Sequence, residues 1–143
     1  MRDIAITLIV LFGLVSTLKK PYIGVLLWSW LSYMNPHRLA YGFAFDAPFA
    51  LVTAIVLLLM TATTKQKQKF PFNSITYLWI FFIIFMGITT SQAVFPGEAF
   101  FQFKKVVKIQ LIIFITMLLI TDFKKLKQLI WVIVLSIGYF SVK

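Results

Sequence analysis

The chain has 143 residues, of which 61% are hydrophobic and 17% aromatic, against only 13% charged; a soluble domain of this size would be nearer half apolar and a quarter charged. It has no cysteine and a single histidine, His37, which excludes a disulfide framework, a Cys-ligated zinc site and a Cys nucleophile. The net charge of +10 would suit nucleic acid, but the basic residues stand in twos and threes at the ends of apolar runs, where headgroup anchoring places them rather than a nucleic-acid stripe.

Six apolar segments follow one another: Ile4–Leu18, Tyr22–Met34, Ala47–Thr63, Ile75–Thr90, Val106–Thr121 and Gln128–Val142. Blocks of this kind, split by short charged joints, predict an all-α fold, a polytopic transmembrane bundle of about six short helices forming one membrane domain over residues 1–143. Each segment is shorter than the ~20 residues that span a bilayer upright, and flanking aromatics and snorkelling lysines make up the length. The first segment resembles a signal peptide in its apolar core. Asp3 spoils the basic start, however, and Lys19-Lys20-Pro21 replaces the cleavage site, so it reads as a retained helix. With the second segment covering only about 20 Å, these two either both span or form a tight hairpin that dips into the bilayer.

Pro21 suits the first turn of the second helix, and Asn35-Pro36 stops that helix. "TKQKQKFPFN", from Thr64 to Asn73, and Phe95-Pro96-Gly97-Glu98 are turns. Trp28, Trp30 and Tyr33, and later Phe72, Tyr77 and Trp79, read as interfacial belt residues. No Asp or Glu falls in mid-segment, which argues against a proton relay or a carboxylate pair. Ser29, Ser32, Thr53, Ser91, Gln92, Gln110, Thr116 and Ser136 are the polar groups at depth, and Ser or Thr there serves as helix-packing glue.

Charge counting sets a direction. The joints after helices one, three and five carry Lys19, Lys20, Lys65, Lys67, Lys69, Lys124, Lys125 and Lys127 against Asp122. The opposite face has Arg2, Arg38, Lys104, Lys105, Lys108 and Lys143 against Asp3, Asp46 and Glu98. The first face is therefore read as cytoplasmic, with both termini outside.

Lys104, Lys105 and Lys108 are then the candidate site, a contact for a phosphate group, with Arg38 second. Lys104 and Lys108 share a helix face. The expectation places them near a helix N-terminus, where the macrodipole is already positive and an anion would compensate. The plain alternative is that all three snorkel to lipid phosphates. Glu98 could pair with Lys104 or Lys105 as an exposed ion pair worth at most about 1 kcal/mol. In the loop after the second segment, His37, Arg38 and Asp46 could supply a base, an anion grip and an orienting acid, or could simply meet water. No Gly-rich phosphate loop, metal cluster or nucleophile elbow is present in the sequence.

The segments "KKPYIGVLLWSWLSYMNPHRL", "FFQFKKVVKIQ" and "LSIGYFSVK" resemble the start of the O-glycosylation ligases associated with the bacterial exosortase A system, within the O-antigen ligase and polymerase superfamily. The resemblance runs over essentially the whole chain. It implies a protein of the bacterial inner membrane that moves a saccharide from a polyprenyl-diphosphate carrier to an acceptor on the periplasmic side. No metal, cofactor or nucleotide-sugar is implied. Members of that family are expected to be much longer, the ligase domain following the point where this sequence stops, so no catalytic residue carries over. The partners expected are the bilayer, the carrier-linked glycan and the remainder of the ligase. The rival expectation is a non-enzymatic membrane subunit packed against a partner; a small transporter finds too little support in Gly87 and Gly138.

Overall fold

The computed structural model describes residues 2–36, 47–64 and 72–142. These form six helices and no strand: α1 (Arg2–Lys19), α2 (Pro21–Met34), α3 (Phe49–Thr63), α4 (Ser74–Ser91), α5 (Pro96–Leu119) and α6 (Phe123–Val142). The expected all-α architecture is met element by element. The largest departures are at the starts of α5 and α6, which begin ten and five residues before the apolar segments that announced them. Lys and Gln are good helix formers, so the stretches that end the hydropathy signal continue the helix.

The described residues divide into two compact units. The first comprises α1, α2, α3, α6 and the last turn of α5; the second comprises α4 and the rest of α5.

In the first unit, a single extended residue, Lys20 (φ −137°, ψ 93°), separates α1 from α2. Its N–H closes α1 on the Ser16 carbonyl at 2.9 Å, and its own carbonyl accepts from Ile23 N–H at 2.9 Å to open α2. Pro21 occupies the first helical position, where its missing N–H costs nothing. The result is an antiparallel hairpin. Its two helices meet through small residues: a Cβ added to Gly24 would stand 2.6 Å from Thr17 Cγ2, and one added to Gly13 would stand 2.8 Å from Leu27 Cδ2. Glycine at both places lets the backbones approach.

α3 packs on this hairpin, with Leu57 reaching Gly24 and Phe49 lying on the Val10, Leu27 and Leu31 cluster, so it runs antiparallel to α2. α2 ends on Asn35 in the left-handed region (φ 46°, ψ 50°), its N–H bonded to the Leu31 carbonyl at 3.1 Å. Asn tolerates that conformation better than other residues with a Cβ. α6 runs parallel to α2, because Tyr22 meets Lys125 at one end while Trp30 and Met34 face Val132 and Ser136 further along.

In the second unit, Asn73 caps α4: its Oδ1 accepts from both the N–H and the hydroxyl of Thr76, each at 2.9 Å. The Trp79 and Phe114 rings stack at 4.3 Å, and Phe103 approaches Gly87, which makes α4 and α5 antiparallel. Large rings, rather than close backbones, join this pair.

Among the described residues one helix, α4, is long and apolar enough to cross a membrane, and α3 is a shorter apolar helix. α2, at 14 residues, reaches only about 21 Å. α5 and α6 are longer, but lysines occupy parts of their first halves.

Candidate lipid-phosphate site

The three lysines of the candidate site lie on α5, and all three are exposed. The premise about their position changes. α5 starts at Pro96, so Lys104 and Lys108 sit about 12 and 18 Å from its N-terminus. The macrodipole acts within the first turn only, and that turn holds Glu98 instead, an acid where the dipole favours one. The dipole therefore gives no reason for an anion at Lys104.

What surrounds these lysines is aromatic. Lys104 Nζ lies 5.3 Å from the centroid of the Phe100 ring, and Lys105 Nζ lies 4.3 Å from that of Phe101. Each side chain leans one turn back toward the helix N-terminus, the direction that helical side chains favour. Glu98 pairs with neither lysine. Lys104 and Lys108 do share a face, and further along it Ile112, Ile115 and Leu119 are buried. Arg38, His37 and Asp46 lie outside the described residues.

Among the described residues the half-buried cation lies elsewhere. Lys125, whose side chain is 20% exposed, donates to Thr121 Oγ1 at 2.6 Å, pairs with Asp122 at 3.5 Å and rests 5.3 Å from the Tyr22 ring centroid. It is the third residue of α6, with Lys124 before it and Lys127 after, so the unfavourable meeting of cations with a positive helix end occurs here. The Tyr22 contact also brings the Lys19-Lys20 joint to the same end of the first unit. Sequence reasoning placed these joints on one face but had no signal for the contact, which depends on the pairing of α2 with α6.

The hydroxyls serve their own helices. Thr17, Thr53, Thr61 and Ser136, all buried, donate to the carbonyls of Gly13, Phe49, Leu57 and Val132 at 2.6–2.8 Å. For Thr53 and Ser136, expected as polar glue between helices, the hydroxyl bonds a carbonyl one turn back in its own helix. Gln110 Oε1 is buried with no hydrogen-bond partner. Among the described residues no group of His, Asp and Glu is placed to hold a metal ion.

These features define an all-helical protein with basic helix ends and largely apolar exposed faces, without an assembled catalytic group among the described residues. The chain belongs to DUF5935, a family of unknown function, whose model matches residues 1–143. No curated protein and no solved structure matches it.

Proposed function

We propose that the chain is a multi-pass domain of the bacterial inner membrane, its short helices crossing in alternate directions with both termini on the periplasmic side. In this reading it is the N-terminal membrane portion of an O-glycosylation ligase-like glycosyltransferase, which moves a saccharide from a polyprenyl-diphosphate carrier to a periplasmic acceptor. Lys104, Lys105 and Lys108 touch the carrier diphosphate or neighbouring lipid phosphates, and Arg38 assists them.

The observation that carries the membrane reading is the surface of α4. Only 6% of that helix is buried, while Phe81, Phe82, Ile84, Phe85 and Ile88 are each more than half exposed. Apolar surface costs about 25 cal/mol per Å² in water, and a hydrocarbon solvent removes that cost. Helix direction supports the same reading: α1 opposes α2, α3 opposes α2, α4 opposes α5, and α2 runs with α6. Hydroxyls bonded to their own helix suit a medium without water. The glycan part rests on the sequence resemblance, and the backward lean of Lys104 and Lys105 suits ammonium groups that reach for an interface.

The absence of cysteine permits a clean topology test. Single cysteines replacing Lys20 and Lys124 should be shielded from an impermeant maleimide added outside intact spheroplasts, and one replacing Pro96 should react. Equal reaction at all three positions would sink the alternating topology. For the carrier contact, K104Q/K108Q in an intact ligase should reduce glycan transfer with the fold retained; unchanged transfer would remove those lysines from the site.

A second reading, a non-enzymatic membrane subunit, draws on the same open face of α4, which would fit the helices of a partner. Co-purification of a stable partner, with no glycan defect on deletion, would select it.

A further inference from the structure

The parallel pairing of α2 and α6 lines up two features along one seam of the first unit. At its start Lys125 rests on Tyr22, beside Lys19, Lys20, Lys124 and Lys127, with Asp122 the one acid among them. Further along, Trp30, Met34, Val132, Leu135, Ser136 and Tyr139 line a half-open cleft of about 220 Å³. Lys125, Val132 and Ser136 fall at i, i+7 and i+11, one stripe of α6, so the charged end and the cleft face the same way.

We infer that this seam holds one anionic phospholipid, its phosphodiester at the lysine end and one acyl chain in the cleft. The inference rests on the membrane reading above and not on the glycan reading.

The lining decides what enters the cleft. Trp30 Nε1 already donates to Met34 Sδ at 3.0 Å, and Ser136 Oγ to the Val132 carbonyl at 2.6 Å. With those donors engaged and the rest of the wall mainly apolar, the cleft favours hydrocarbon over a sugar. Depth agrees. The α6 residues of the cleft stand about 10–21 Å along the helix from Lys125, and one leaflet's hydrocarbon is about 15 Å deep. A chain whose phosphate lies at Lys125 therefore enters the near part of the cleft, at Val132 and Leu135, within its own leaflet. The excess of lysine selects an anionic headgroup over a zwitterionic one. A partner helix could fill the cleft but would have no use for the cations.

The test reconstitutes the full chain in phosphatidylcholine vesicles containing a trace of phosphatidylglycerol with a diazirine in mid-chain. After irradiation, adducts are mapped by mass spectrometry. They should concentrate at Trp30–Met34 and Val132–Tyr139. Lys125→Gln should lower their yield about fivefold, the worth of one lysine at an anionic surface, and Lys125→Arg should restore it. Val132→Trp, which fills the cleft, should remove the seam adducts while helicity stays unchanged.

Equal yields from a diazirine phosphatidylcholine would overturn the inference, as would adducts confined to α4. A chain that stays embedded through alkaline carbonate yet gives no preferred adducts at the seam overturns this inference alone. A chain that washes off overturns the membrane reading with it.

Discussion

Gly24 and Thr17 face each other across the α1–α2 hairpin so closely that a single added methyl would stand 2.6 Å from Thr17 Cγ2. Thr17 is fully buried and held to the Gly13 carbonyl at 2.8 Å, so it cannot swing away without losing that bond. Gly24→Ala should cost a net ~1 kcal/mol, because overpacking of about 1–3 kcal/mol exceeds a helix-propensity gain of about 1 kcal/mol. Gly13→Ala should be neutral or slightly stabilising, since the atoms it meets are the terminal methyls of Leu27. Thr17→Ser deletes Cγ2 and should recover part of the Gly24→Ala loss, a coupling that a double-mutant cycle of thermal unfolding in one detergent would read.

Asn73 satisfies two donors of Thr76 at the start of α4. Asn73→Ala should destabilise by about 1 kcal/mol, the usual worth of such a cap, whereas Asn73→Asp should hold most of it. Denaturant midpoints of the two variants, compared at equal slope, check this.

At the end of α2, Asn35 holds a left-handed backbone. Asn35→Gly should be tolerated, and Asn35→Val should lose about 1–2 kcal/mol, because a β-branched residue resists positive φ. Equal melting temperatures for the two variants would contradict the assigned cap.

The Trp79–Phe114 stack at 4.3 Å joins α4 to α5 where no close backbone contact does. Replacing each residue by Leu, singly and together, should reveal a coupling of about 0.5–1.5 kcal/mol. Additive losses would mean that the rings only fill space.

The six helices were legible because apolar blocks and proline-marked turns coincide with them; Pro21, Asn35 and Asn73 each sit at a helix boundary. The start of α5 was not legible in hydropathy, since "GEAFFQFKK" interrupts the apolar run without interrupting the helix. That ten-residue difference undid the dipole argument for Lys104 and Lys108, although their shared face was correctly read from spacing. Trp30, read as an interfacial belt residue, also lines a cleft. Its neighbours Val132 and Ser136 lie about a hundred residues away in sequence, and only tertiary pairing brings them near. The part of the site resting on Arg38, His37 and Asp46 falls outside the described residues.

The one-residue joint at Lys20 has a consequence for the order of assembly. Thr17 and Gly24 are seven positions apart, so their contact closes almost without loop entropy and can form as soon as α2 has been made. The opposite side of α2 waits for α6: Tyr22 and Lys125 are separated by 103 positions, about 5–20 s of synthesis at typical rates. During that interval the hairpin is complete on one side and bare on the other. A ribosome-stalled chain ending before α6 should therefore already be protease-resistant at the α1–α2 turn, while Trp30 remains accessible to quenchers.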